Sequence, residues 1–165
     1  MKKNARPEVD LTTLLKEKLI QLELKGNDKS AILEELVEIA GRSKRLVNKK
    51  AFLKAMIERE ALGSTGIGNG VAVPHGKIKQ AKDFVLVFGR KTSGVDFGAL
   101  DGEKTYLFFS LASPEEKVGF HLKILSEISR MVKDKFVVEQ LKKARDKKEI
   151  IKIVTDFKKI KKADV

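Results

Sequence analysis

Apolar residues in this chain recur at two spacings, and the switch between them lays out its elements. From residue 29 to residue 40, Ile32, Leu33, Leu36, Val37 and Ala40 fall three and four apart. That spacing predicts an amphipathic helix, capped by Asp28 and stopped at Gly41. Ahead of it, residues 11–18 predict a short helix. Residues 20–25 then alternate Ile20, Leu22 and Leu24 with polar partners, the period of a half-buried strand, and GND at 26–28 makes a turn. Asn48 is placed to cap a further helix reaching Glu60, with Phe52, Leu53, Met56 and Ile57 as its buried face.

Two runs are apolar without alternation. FVLVFGR (84–90) and TYLFFSLA (105–112) predict fully buried strands, with the Asp-Gly pair of LDGE (100–103) as a hairpin-type turn before the second. SPEE (113–116) has the form of a helix start, with Ser113 as N-cap, Pro114 in the first turn and Glu116 as the reciprocal partner. The helix after it carries His121, Leu125, Ile128 and Val132 on one face. Two more amphipathic helices follow, marked by Phe136, Val138 and Leu141, then by Ile150, Val154 and Phe157. Helices alternating with strands too apolar to face water predict one α/β domain, a mixed β-sheet sandwiched between α-helices. Its expected limits are residues 9–158, between a flexible tail at 1–8 and a basic tail at 159–165.

Composition narrows the function classes. With 165 residues, 42% of them hydrophobic, the chain has enough apolar surface for one real core. It has no cysteine and two histidines, so neither disulfides nor a thiol-based metal centre is expected, and no metal or other cofactor is assigned. The basic N-terminus leads into no apolar segment and no run is long enough to cross a membrane, so the expectation is a cytoplasmic protein without membrane insertion. The net charge of +12 suits acidic partners. Ten Lys/Arg stand against three Asp/Glu between Lys142 and Lys162. Lysines interleaved with glutamates elsewhere, and only 6% aromatic residues, argue against a base-stacking surface, so no nucleic acid is expected.

Residues 63–76, GSTGIGNGVAVPHG, break this pattern, with four glycines in eight positions before a proline and His75. The dinucleotide fingerprint fails because Val71 stands where the third glycine belongs. The P-loop fails because Asn69 and Gly70 replace Lys and Ser/Thr, and Ser64 directly after Gly63 excludes a nucleophile elbow. Clustered glycines still allow backbone N–H groups to converge on an anion, with Ser64 and Thr65 adding hydroxyls. An imidazole beside such donors makes a phosphoryl acceptor. The residues alone leave a second reading open, a glycine-rich loop with a structural histidine at a strand end. By pattern alone His121 likewise reads as a core histidine, and Arg59 as a solvated helix charge.

The segment REALGSTGIGNGVAVPHGK (59–77) closely resembles the signature of type-2 enzyme IIA domains of the bacterial phosphoenolpyruvate-dependent phosphotransferase system, the fructose/mannitol class that includes a nitrogen-regulatory member. Weaker similarity extends over nearly the whole chain, through the KSAILEEL helix, the LDG turn, the strand ending in ASP and the HLKILSEISRMVKD helix. The resemblance implies that His75 is the phosphorylated nucleophile, that His121 orients or hydrogen-bonds the phosphoryl group, and that Arg59 stabilises its charge. Ser64, Thr65, Gly66, Gly68, Asn69 and Gly70 would form the loop around it. It implies a phosphotransferase that takes the group from a histidine-containing phosphocarrier protein and passes it to a IIB domain of a sugar transporter. In the alternative, regulatory form, phosphorylation governs binding to kinases, channels or transcriptional regulators.

Overall fold

The computed structural model describes residues 10–163, with side chains through residue 160, so the tail expected at 1–8 lies outside the described residues. Two long antiparallel strands form the centre, β5 (Val85–Val95) and β6 (Thr105–Pro114). Strand β1 (Ile20–Gln21) lies parallel to β5 on one side. On the other side, β3 (Val71–Ala72) and β4 (His75–Ile78) both run parallel to β6, one beyond the other along the same edge. Strand β2 (Gly66–Gly68) closes the outside as the antiparallel partner of β3. The result is a mixed, open sheet of six strands.

Alternation along the central strands feeds two cores. Phe84, Leu86 and Phe88, with Leu107, Phe109 and Leu111, face one side. There they meet α1 (Leu11–Leu14), α4 (Val118–Val132), α5 (Lys135–Lys143) and α6 (Lys147–Ala163). Val85, Val87, Phe108 and Ala112 face α2 (Lys29–Ala40) and α3 (Lys49–Ala61) on the other. Both faces of the sheet are thus buried, which is why its central strands read as continuous apolar runs.

Several local expectations change. Residues 11–18 divide into α1, held by an Asp10–Thr13 capping box, and a separate 3-10 turn at Glu17–Leu19. Strand β1 keeps only two of its six expected residues, although the Leu24 N–H still reaches the Arg90 carbonyl at 2.7 Å. Asp28 and Asn48 cap α2 and α3 as expected. Gly41 ends α2 as expected, in a right-handed conformation (φ −64°). Ile57 is exposed, and the buried stripe of α3 runs Phe52, Met56, Glu60 instead. Between β5 and β6 the Asp101-Gly102 turn sits inside a longer loop (96–104), not in a two-residue hairpin. Val137 takes the buried place expected of Phe136, and α6 continues to Ala163 through residues expected in the basic tail.

The largest departure is at SPEE. Ser113 and Pro114 are not the start of a helix but the last two residues of β6, paired with Lys77 and Ile78 of β4. Helix α4 begins only at Val118, behind Lys117, which makes no side-chain cap. Pairing with β4 completes the ladder at this edge, and that outweighs a cap worth about 1 kcal/mol.

Candidate functional site

Strand period puts His75 and Lys77 on the face of β4 that looks toward α4, while Gly76 between them looks toward α3. A Cβ at Gly76 would stand 2.7 Å from the Cβ of Ala55, so glycine lets α3 lie directly on this strand. The His75 Nδ1 lies 2.7 Å from the Val73 carbonyl oxygen. A carbonyl can only accept, so Nδ1 carries the proton and Nε2 is left with its lone pair. His121, in the first turn of α4, brings its ring centroid to 5.2 Å from that of His75, with the planes tilted by 57°.

Both imidazoles are held neutral. Burial pushes the His75 pKa below its ordinary value, and the Arg59 and Lys77 cations push it the same way against the Val73 carbonyl and Glu60. His121 goes further, to about 4, chiefly through burial and then through His75 and Lys77. A neutral histidine keeps the lone pair that a nucleophile needs.

Arg59 and Glu60, consecutive in the last turn of α3, grip the following loop from two sides. The Arg59 Nη1 donates to the Gly63 carbonyl at 2.9 Å. The buried Glu60 carboxylate accepts from the Thr65 N–H and hydroxyl and pairs with Lys29 of α2 at 2.6 Å. The Ser64 hydroxyl donates to the Phe97 carbonyl and accepts from the Gly66 N–H. The hydroxyls expected to face a phosphoryl group therefore hold the loop itself together.

The glycines have a different use as well. Asn69 (φ 56°) and Gly70 (φ 75°) are both left-handed, the signature of a type I′ turn joining β2 to β3. The Asn69 amide donates to the Val132 carbonyl, and the Gly70 carbonyl accepts from the N–H groups of Tyr106 and Leu107. Along β6 this turn is in register with Leu107 and His75 with Leu111, a separation of roughly 13 Å. Gly68, Asn69 and Gly70 thus build a hairpin tip, away from the imidazole. The structure brings together His75, His121 and Arg59. It adds Lys77 and Glu60, which the sequence does not single out, although strand period after His75 would have flagged Lys77. Among the described residues, no group of three His, Cys, Asp or Glu could hold a metal ion. No helix of the described residues is long and apolar enough to cross a membrane.

A mixed sheet between two helical layers, with paired imidazoles where a sheet edge meets a helix, defines a class of α/β domain. The sequence places the chain within it: residues 13–157 match the family "Phosphoenolpyruvate-dependent sugar phosphotransferase system, EIIA 2", and the chain belongs to that family. Among its relatives, the nitrogen regulatory protein of Bradyrhizobium diazoefficiens is 33% identical over 148 residues, covering 87% of this chain and 94% of that protein. The fructose-specific EIIABC component of Bacillus subtilis is 32% identical over 149 residues, covering 90% of this chain but 24% of that much longer protein, so the chain spans about a quarter of it. The crystal structure of the nitrogen regulatory protein IIA-Ntr from Neisseria meningitidis superposes with a TM-score of 0.83 at 30% identity, covering 87% of this chain and 98% of that one. Mannitol IIA of Escherichia coli, solved in complex with phosphorylated mannitol IIB, shares the fold at a TM-score of 0.73 and 23% identity, covering 86% and 97%.

Proposed function

We propose that this protein is a phosphoryl carrier that accepts a phosphoryl group on Nε2 of His75 from a phosphohistidine carrier protein and passes it to a IIB domain. The observation that carries the proposal is the tie between His75 Nδ1–H and the Val73 carbonyl, which commits Nε2 to nucleophilic attack beside a second imidazole. The Nε2 lone pair attacks phosphorus in line. The new N–P bond forms as the donor's N–P bond breaks, and the donor imidazole leaves with the bonding pair. His75 keeps its Nδ1 proton on Val73, so the positive charge of the phosphorylated ring is delocalised against a carbonyl. His121 orients or hydrogen-bonds the transferred oxygens, and Arg59 stabilises their charge once its fork turns from the loop.

The test is incubation with phosphoenolpyruvate, enzyme I and the carrier, followed by intact mass measurement. An acid-labile phosphoryl adduct is expected on the wild type and absent in His75→Ala. No adduct on the wild type, or one that persists in the variant, overturns the proposal. A regulatory role, in which the phosphorylation state sets binding to a kinase, channel or transcriptional regulator, is supported by the nitrogen regulatory relative that the chain matches over 94% of its length. Transfer from the phosphorylated protein to a panel of IIB domains separates the two, because a purely regulatory protein would retain its phosphoryl group.

A further inference from the structure

Ser113, next to last in β6, is fully buried, and its hydroxyl lies 2.6 Å from Nδ1 of His121. Both atoms could donate, and the surroundings decide between them. No other hydrogen bond to the Ser113 hydroxyl exists among the described residues. If Nδ1 held the proton, the serine O–H would be buried without an acceptor, a costly arrangement. If the serine donates, one bond satisfies both groups, and the only proton on a neutral His121 ring sits on Nε2.

That Nε2 is not sealed in the core. Among the described residues, Thr105 Oγ1 is the one fully buried side-chain polar atom lacking a partner. The second nitrogen of His121 has no hydrogen-bond partner among these residues and is not that atom, so it keeps some solvent contact although the residue is only 3% exposed. We infer that Ser113 is a positioning residue, whose hydroxyl donates to His121 Nδ1 and so presents His121 Nε2–H as a hydrogen-bond donor to the phosphoryl group carried on His75. The inference rests on the phosphoryl-carrier reading for the identity of that group, while the tautomer itself does not depend on it. The charged and titratable groups acting on His121 are His75 and Lys77, both on β4. Register sets Lys77 directly beside Ser113, on the same strand pair.

The decisive measurement is long-range proton–nitrogen NMR on the 15N-labelled, unphosphorylated protein at neutral pH. The expected pattern is a protonated Nε2 and an accepting Nδ1 on His121, with the Nδ1 signal moving toward that of an unbonded imidazole in Ser113→Ala. A proton on His121 Nδ1 in the wild type overturns the inference, whatever the phosphotransfer assay gives. Kinetically, Ser113→Ala is expected to slow phosphorylation of His75 about tenfold. In a His121→Ala background the same substitution is expected to change nothing further, because Ser113 acts only through that ring. An equal loss in both backgrounds would make Ser113 a structural residue and overturn the inference. Failure of the wild type to be phosphorylated at all overturns the carrier reading instead, and leaves the tautomer to be judged by NMR alone.

Discussion

Two constraints act on the His75 ring: a carbonyl takes one nitrogen, and neighbouring cations and burial keep the other unprotonated. Arg59 supplies part of that field from the end of α3, so its removal has a predictable sign. Arg59→Ala is expected to slow phosphoryl acquisition roughly a hundredfold, because a charged donor to the transferred oxygens is lost. Arg59→Lys should recover only part of the rate, since an ammonium cannot offer a planar fork. Stopped-flow mixing with the phosphorylated carrier would measure both. His121 gives a stability prediction. Its folded pKa of about 4 lies below the ordinary 6.5, so in that interval the unfolded chain binds a proton that the folded one does not. The stability contributed by keeping this ring neutral is fully present above pH 6.5 and is lost as pH falls toward 4, on the order of 3 kcal/mol in all. Urea melts at pH 7 and pH 4.5 should show a smaller drop for His121→Gln than for the wild type.

At the scale of elements, the site depends on how closely α3 lies on β4 and on how its last turn holds the loop. Gly76→Ala would force the new methyl against Ala55 and push the helix off the strand bearing His75. The expected cost is about 1–3 kcal/mol in urea denaturation, with slower phosphorylation as β4 shifts. Glu60→Gln would leave Lys29 without its buried counter-charge and weaken the bonds to Thr65. A loss of about 2 kcal/mol is expected, measured by the same melts. Sequence pattern reads these elements unevenly. The helices with a strong apolar face and the two central strands were legible because period and composition agree. Ser113 was not, because S-P-E-E satisfies every local rule for a capping box. What keeps it in a strand is pairing with β4, a strand of four residues with no hydrophobic alternation to declare it.

For the whole molecule, the formal charge of +12 is a long-range property that no single contact explains. If acidic partners are steered by it, the second-order rate of transfer should fall steeply between low and physiological salt, while the rate within the formed complex stays nearly constant. A rate indifferent to salt would show that docking relies on apolar contact alone. The two cores on opposite faces of the sheet matter here as well. His121 and His75 are brought together where α4 covers one face, while the charge of Arg59, whose guanidinium binds the Gly63 carbonyl, acts on His75 from the end of α3 on the other.

The sequence by itself determined the two-layered covering of a buried sheet and the limits of α2 and α3, and it singled out His75 and Arg59 through one long motif and His121 through the weaker similarity beyond it. These follow from local period and from residue types that chemistry restricts. Only the tertiary structure decided that β3 and β4 share one edge of β6, that the Asn69-Gly70 turn lies well away from the imidazole, and that Ser113 faces His121. Strand partners are chosen by contacts far apart in the chain, and a glycine records only that the backbone needs freedom, not whether the use is a turn, a close helix or an anion.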